Sequence, residues 1–199
     1  MKRILVCISF VLLIYGLTGC ATKSGEAPMS ETTPENAAEE SEGKTLVVVF
    51  SATGTTKAVA DKIVSITGAD LYEIKAAQEY TAADLDWHDS SSRTTNEQND
   101  PTVRPAIGSD PLTLDGYTTI FIGYPIWWGQ EPRIMDTFAE MYDFTGITMI
   151  PFCTSGSSGI GNSGKNIADS AGSGTWLDGR RFGAGASEEE IRTWIEKLQ

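Results

Sequence analysis

The chain has 199 residues, a formal net charge of −12, one histidine and three cysteines. Such an acidic protein is a poor candidate for nucleic-acid binding, which relies on Lys and Arg side chains that neutralise phosphates. A single histidine and widely spaced cysteines also argue against a structural zinc site, which needs about four closely spaced Cys or His ligands.

The amino terminus predicts export. Two basic residues precede a short apolar stretch over residues 4–15, which is typical of a secretory signal and too short for an ordinary membrane-spanning helix. The signal ends in Leu-Thr-Gly-Cys at residues 17–20, which resembles the lipobox of bacterial lipoproteins. The resemblance implies that residues 1–19 are a signal peptide and that Cys20 is lipidated. The lipid would anchor the protein to a bacterial membrane with its domain outside the cytoplasm, at the cell surface or in the periplasm. The alternative is an ordinary signal peptide in which Cys20 has no such role.

Residues 20–43 predict a disordered acidic tether. The segment has no aromatic residue, and its six glutamates accompany a single lysine, so it is too polar to bury a core and is expected to stay extended. Removal of the signal also removes two basic residues, so the mature chain has a formal net charge of −14. The tether contributes −5 of this charge and residues 44–199 contribute −9. Because Cys7 leaves with the signal and Cys20 carries lipid, Cys153 is left alone and no intramolecular disulfide is expected.

The predicted domain, residues 44–199, opens with a strand, a hydroxyl-rich turn and a helix. The apolar run at 46–50 indicates a parallel strand buried on both faces, and the periodicity of 57–66 indicates a helix. Free amides at the start of a helix, a glycine and several hydroxyls form a phosphate site. The turn has no lysine inside it, which favours a phosphate monoester such as that of FMN over a nucleotide triphosphate. The alternative is an ordinary hydroxyl-rich helix cap. The turn consists of Ser51, Ala52, Thr53, Gly54, Thr55 and Thr56.

This turn resembles the FMN-phosphate loop of the flavodoxin family, Thr/Ser-x-Thr/Ser-Gly-x-Thr, and it lies at the end of the first strand, as the family requires. The long polar segment that follows the second strand is longer than in ordinary flavodoxins and resembles that of a flavodoxin-like group of bacterial flavoproteins. It is expected to be a solvated loop with one short helix at 81–87. Arg93 and Arg104 of this segment are weaker candidates for contact with a flavin or a substrate.

The remaining elements alternate between strand and helix. This alternation predicts an α/β fold, a flavodoxin-like three-layer α/β/α sandwich with a five-stranded parallel sheet of order 2-1-3-4-5. Ligands of such sheets bind beyond the carboxyl ends of the strands, so the turns at 51–56, 125–129 and 154–159 are expected to converge on one site. Later strands are predicted at 69–74, 117–124, 147–153 and 175–182, and later helices at 131–142, from about 160 through 168, and at 188–198 with Ser187 and Glu190 as a capping box.

The second and third turns carry the rest of the resemblance. Residues 123–128, Gly-Tyr-Pro-Ile-Trp-Trp, resemble the flavodoxin loop Gly-x-Pro-Thr-Trp, whose tryptophan stacks on the flavin ring and corresponds to Trp127 here. The alternative places these tryptophans in the core. The third turn lacks the tyrosine that usually covers the second face of the flavin, so that face is open or is covered by residues 75–110. Besides the first turn, the implied FMN contacts are Pro125, Ile126, Trp127, Trp128, Gly129, Thr154, Ser155, Gly156, Ser157 and Gly159.

Other motifs are weaker. Residues 159–164 match a dinucleotide fingerprint but follow the fourth strand, and 159–166 nearly match a triphosphate loop but end in Asn166 where Ser or Thr belongs. The chain has no Gly-x-Ser-x-Gly motif for a serine hydrolase. Three functions remain: an electron carrier that docks on a redox partner, an FMN-dependent reductase that passes hydride from a nicotinamide to a quinone or similar acceptor, and a flavin-free binding module. The sequence favours the carrier and leaves enzyme status open.

Overall fold

The computed structural model describes residues 43–198, so the signal peptide, Cys20 and the tether lie outside the described residues. The described chain alternates between strands and helices along most of its length. The strands are β1 (Lys44–Phe50), β2 (Asp70–Ile74), β3 (Tyr117–Pro125), β4 (Thr148–Thr154), β5 (Thr175–Trp176) and β6 (Arg180–Phe182), and the helices are α1 (Thr55–Thr67), α2 (Arg93–Asn99), α3 (Arg133–Met141), α4 (Ser163–Ala171) and α5 (Glu188–Glu196).

The strands form one parallel sheet in the order β2-β1-β3-β4-β5, which confirms the predicted topology. Strand β1 lies between two others: Val48 pairs with Tyr72 of β2 on one side and with Ile122 of β3 on the other. The five residues 46–50 of this strand are all buried, as expected of a strand covered on both faces. The chain order reverses at β1, which leaves a crevice between the loops that follow β1 and β3.

Two apolar cores cover the two faces of the sheet and define three layers. One core joins alternate residues of the strands to α3 and α4, through residues such as Phe138 and Ile167. The other joins the intervening strand residues to α1 and α5, through residues such as Ile63 and Trp194. Among the described residues, the buried members of both cores lie between residues 46 and 195.

The predicted last strand, 175–182, is wrong in one respect, because two short strands share its place. Strand β5 pairs with β4 at Met149, and β6 pairs with β4 from Phe152. The interruption falls at Pro151. The amides of Thr175 and Leu177 bond the carbonyls of Ile147 and Met149, so every second residue of β4 faces this edge, and Pro151 has no amide hydrogen to donate there.

The long segment after β2 also differs from the prediction. Residues 81–87 form turns. Thr81 and Asp84 bond each other's amides as at a helix start, and one helical bond follows, from the Leu85 amide to the Thr81 carbonyl, before the chain continues in looser turns. The helix of this segment is α2, whose first turn is capped by Ser92. Its polar sequence has no apolar periodicity, which is why no helix is predicted there. Elsewhere the ends of elements shift by up to three residues, the largest shift being that of α4.

Candidate functional site

The hydroxyl turn between β1 and α1 leaves donors free at the start of the helix. Gly54 adopts a left-handed conformation (φ 83°) that favours glycine, and no side chain caps the first turn of α1. The first helical bond from this turn is donated by Ala58 to the carbonyl of Gly54, so the three preceding amides have no helical partner. The hydroxyls of Thr53 and Thr55 lie 3.4 Å apart and are exposed. The turn therefore presents hydroxyl and amide donors together.

Two other hydroxyls of the turn are buried. Thr56 Oγ1 lies 2.7 Å from Thr154 Oγ1, which ties the hydroxyl turn to the third loop. Two hydroxyls have two hydrogens and this bond uses one of them, so the pair keeps one hydrogen to donate. Ser51 Oγ is also buried and has no hydrogen-bond partner among the described residues. These spare donors fit an anionic group at this turn.

A strained turn at residues 127–130 follows β3. The amide and carbonyl of Trp127 bond the carbonyl and amide of Gln130 at 2.9 and 3.0 Å. Trp128 (φ 49°) and Gly129 (φ 78°) both take the positive φ of a type I′ turn. A bulky residue in this conformation costs about 1–2 kcal/mol, which is the kind of strain that collects at functional sites. The turn holds the Trp128 ring 41% exposed.

The two tryptophans have different surroundings. Trp127 packs edge-on against Phe50 and Tyr80, with ring centroids 5.6 and 5.2 Å apart, so part of its ring belongs to the core. Trp128 lies among the exposed apolar residues. Both rings also line one cleft. Trp127 is therefore partly a core residue, as the alternative expected, and both tryptophans are accessible from the cleft.

A buried polar cluster begins at Glu131, the residue that follows this turn. Glu131 is fully buried, its Oε1 lies 3.6 Å from Arg133, and its Oε2 accepts a 3.1 Å hydrogen bond from Asn166 of α4. Arg133 also lies 3.6 Å from Asp136, and Gln98 of α2 donates to the backbone carbonyl of Glu131. Burial raises the pKa of the Glu131 carboxyl. The cluster joins α2, α3 and α4, and no periodicity of its residues in the sequence predicts it.

The third loop follows β4 and is held by an arginine that the sequence analysis missed. Arg181 Nε donates to Ser155 Oγ at 3.1 Å, and Nη2 donates to the carbonyls of Ser155 and Gly156 at 2.6 and 2.9 Å. Ser155 Oγ in turn donates to the carbonyl of Ser158. Arg181 is one residue in a short edge strand, so no motif marks it, and only its register opposite Cys153 brings it to the loop.

Two adjoining clefts lie where these loops meet. The hydroxyl cleft, about 480 Å³, is lined by four hydroxyl residues and by Arg181. The aromatic cleft, about 460 Å³, is lined by three tryptophans and no charged residue. The two share Thr53, Ile126, Trp127 and Gly156, so a polar end passes directly into an aromatic end. The hydroxyl cleft is lined by Thr53, Thr55, Pro125, Ile126, Trp127, Thr154, Ser155, Gly156, Arg181, Gly183 and Ala184, and the aromatic cleft by Thr53, Leu85, Trp87, Thr94, Ile126, Trp127, Trp128 and Gly156.

The remaining predicted contacts lie around these clefts. Ser51 and Ala52 line a smaller neighbouring hollow of about 270 Å³, while the buried side chain of Thr56 contacts Thr154 of the hydroxyl cleft. Gly54 and Gly129 shape their turns. Ser157 and Gly159 are exposed on the third loop and line neither cleft. A larger groove of about 660 Å³ lies at the opposite edge, by Thr45, Thr119 and Thr148 near the amino ends of the strands, where parallel sheets do not bind ligands.

The segment 75–110 forms one wall of the aromatic cleft through Leu85, Trp87 and Thr94. Arg93 stabilises this segment: its guanidinium lies 4.0 Å from the centre of the Tyr80 ring, and its Nε pairs with Glu97 at 2.7 Å. It therefore does not reach the cleft. Arg104 is likewise occupied, by Glu140 at 2.8 Å. The segment is thus a bonded structure that carries Trp87, which is 68% exposed, to the site.

Neither thiol nor metal chemistry is evident in the described residues. Cys153 is buried, and burial raises the pKa of its thiol to about 12, so the thiol stays protonated at neutral pH. Within residues 43–198, no group of three or more His, Cys, Asp or Glu side chains is placed to hold a metal ion. None of the described helices is long and apolar enough to cross a membrane.

An α/β sandwich of this strand order, with a hydroxyl turn and an aromatic turn at the switch point, defines a flavodoxin-like protein. The flavodoxin family model matches residues 44–198, and the chain belongs to that family. Among proteins with curated descriptions, none matches the sequence.

Several solved structures are similar. A candidate flavoprotein from Bacteroides uniformis is 49% identical, with a TM-score of 0.74 over 77% of this chain and 98% of its own. A candidate flavoprotein from Bacteroides eggerthii is 46% identical, with a TM-score of 0.73 over 78% of this chain and 98% of its own. A flavoprotein from Lactobacillus acidophilus, crystallised in complex with FMN, is 24% identical, with a TM-score of 0.58 over 77% of this chain and 99% of its own.

Proposed function

We propose that this protein binds FMN noncovalently and transfers electrons between the flavin and a redox partner. One observation carries the proposal: a cleft of hydroxyl and amide donors runs directly into a cleft lined by three tryptophans. FMN has the matching shape, a charged phosphate at one end and a flat ring at the other. The Lactobacillus acidophilus protein, whose structure contains FMN, has the same fold.

Different residues of the two clefts would bind the phosphate and the ring of FMN. Thr53, Thr55 and the free amides of α1 would hold the phosphate, because donors at a helix start favour an anion. Trp127 and Trp128 would contact the ring. Gly156 lies in both clefts and brings backbone groups near the junction of the two ends. The bound flavin would supply the redox chemistry, and the protein would position it and exclude water.

The test is a titration of purified residues 44–199 with FMN. Quenching of tryptophan fluorescence and the appearance of a protein-bound flavin absorption band are expected. Absence of both would refute the proposal and leave the flavin-free binding module as the better description. Replacement of Thr53 and Thr55 together by Val should weaken FMN binding, since each removes a donor to a charged group at a cost of about 1.5–3 kcal/mol.

A reductase is the second candidate, and the aromatic cleft is the observation that favours it. This cleft has no charged lining residue, and the exposed Trp87 lies at its wall. A nicotinamide or quinone ring could enter there. Anaerobic addition of NADH or NADPH to the FMN-loaded protein separates the two functions. Rapid bleaching of the flavin absorption would indicate a reductase, and a rate no faster than that of free FMN would contradict the reductase.

We further propose that the protein is a bacterial lipoprotein anchored through Cys20, with the domain outside the cytoplasm. Support comes from the basic start, the short apolar stretch and the Leu-Thr-Gly-Cys sequence at residues 17–20. The acidic segment 20–43 would then separate the domain from the membrane. Cys20→Ser should leave the signal uncleaved or release the protein from the membrane fraction. Normal cleavage with unchanged membrane association would contradict lipidation.

A further inference from the structure

Arg181 holds a positive charge at the hydroxyl cleft that no carboxylate neutralises. Its three hydrogen bonds all go to neutral oxygen atoms, those of the Ser155 hydroxyl and of the Ser155 and Gly156 carbonyls. Among residues 43–198, none of the ion pairs includes Arg181, whereas its neighbour Arg180 pairs with Glu190 at 2.9 Å. The charge of Arg181 is therefore available to an anion.

The position of Arg181 makes this charge specific to the site. Of the described residues that line the two clefts, Arg181 alone is charged, and it lines the end that also holds Thr53, Thr55 and Ser155. The domain carries about −9 overall, which by itself opposes the approach of a doubly charged phosphate. The half-buried guanidinium of Arg181 is positively charged and offsets that repulsion. The hydroxyls of the cleft are neutral and cannot offset it.

The hydrogen-bonding pattern leaves part of the guanidinium free. Nε and Nη2 are occupied by the third loop, while Nη1 donates to no described residue. Because the guanidinium is planar and its donors form a rigid fork, fixing Nε and Nη2 also fixes Nη1. The third loop thus holds Arg181 in one orientation.

We infer that Arg181 is a specificity-determining residue, which selects a flavin that carries a phosphate monoester over an unphosphorylated flavin. The inference rests on the proposed FMN binding. Its chemical basis is a charge-assisted hydrogen bond between guanidinium and phosphate, which is stronger than a bond between neutral groups. In this site the hydroxyl turn supplies donors, and Arg181 supplies the charge.

The test compares FMN with riboflavin, which differs only by lacking the phosphate. The protein as processed in the cell, purified in detergent, is titrated with each ligand by tryptophan fluorescence. The measured quantity is the ratio of the riboflavin dissociation constant to the FMN dissociation constant. Arg181→Gln should lower this ratio by about 10- to 100-fold, the usual weight of a hydrogen bond to a charged group. Damage to the third loop affects both ligands and cancels in the ratio.

Arg180→Gln is the matched control. It changes the net charge by the same amount one residue away, but Arg180 packs over the Phe182 ring and pairs with Glu190 of α5, away from the cleft. Its ratio should equal that of the unchanged protein. Arg181→Lys, which keeps the charge but loses the fork, should give a ratio between those of the unchanged protein and Arg181→Gln.

The outcomes distinguish failure of the proposed FMN binding from failure of the role inferred for Arg181. If the unchanged protein binds neither flavin, the proposed function fails. If it binds FMN but Arg181→Gln keeps the same ratio, Arg181 only holds the loop, and this inference alone is refuted. Should Arg181→Gln fail to fold by circular dichroism, Arg181→Lys decides. A ratio for Arg181→Lys equal to that of the unchanged protein would then refute the inference.

Discussion

The hydrogen bond between Thr56 and Thr154 joins the start of α1 to the end of β4 across the candidate site. The two hydroxyl oxygens lie 2.7 Å apart, and the residues are 1% and 3% exposed. Thr56→Val or Thr154→Val would keep the shape of the side chain and remove one hydroxyl. The partner would then be a buried hydroxyl without a hydrogen bond.

The expected cost follows from that burial. An unsatisfied buried hydroxyl costs about 1–3 kcal/mol, so each single substitution should lower the free energy of unfolding by that amount. In a domain of this size, 1 kcal/mol corresponds to about 2–4 °C in melting temperature, which gives a decrease of roughly 2–12 °C. The double substitution replaces both partners by apolar groups and leaves no unsatisfied hydroxyl. Its cost should therefore be smaller than the summed costs of the two single substitutions, by about 1 kcal/mol or more.

Thermal unfolding of residues 44–199 without added flavin, followed by circular dichroism, measures these effects. Thr118→Val is the control, since Thr118 is an exposed residue of strand β3. That change should stay within about 0.5 kcal/mol. Strictly additive costs of the two single substitutions, or single costs no larger than that of Thr118→Val, would refute the reasoning that this bond ties the two loops together.

Three further predictions concern the aromatic turn and its support. Gly123→Ala would place a methyl group 2.1–2.7 Å from ring atoms of the fully buried Phe152, so a loss of about 1–3 kcal/mol is expected in denaturant unfolding, while Gly185→Ala, with open space at its Cβ, should be nearly neutral. Trp87→Ala should leave the melting temperature unchanged, because this side chain is 68% exposed, and should weaken FMN binding by about 2- to 10-fold if the ring stacks on the flavin; equal affinity in a fluorescence titration would exclude that contact. Because burial raises the pKa of Glu131, its ionisation costs stability as pH rises from its ordinary value of 4.5 through the higher folded value. The melting temperature of Glu131→Gln minus that of the unchanged protein should therefore increase from pH 4 to pH 7. A difference that decreases over this range would contradict the prediction.

The sequence by itself determined the elements whose signals are local. The apolar run 46–50 followed by hydroxyls and Gly54 specifies a buried strand, a turn and a helix from neighbouring residues alone, and the structure confirms these. The alternation of strands and helices likewise specified the parallel sheet and its order, since right-handed crossovers leave few topologies. The convergence of the three turns on one edge follows from that order.

Only the tertiary structure decided the contacts between residues distant in the chain. Thr56 meets Thr154 across 98 residues, and Arg181 reaches the third loop through the register of a three-residue edge strand. Register along an edge depends on which amides the neighbouring strand offers, and there Pro151 offers none. Neither pairing has a local periodicity that could reveal it.

The same distinction explains the aromatic turn. The sequence Pro-Ile-Trp-Trp-Gly predicted tryptophans near a ligand, but their division of roles depended on packing. Trp127 rests against Phe50 and Tyr80 from two other parts of the chain, and Trp128 is held at positive φ in the turn before the buried cluster around Glu131. A local sequence contains no information on which distant side chains will compensate the strain of such a turn, because that compensation comes from long-range packing and buried hydrogen bonds.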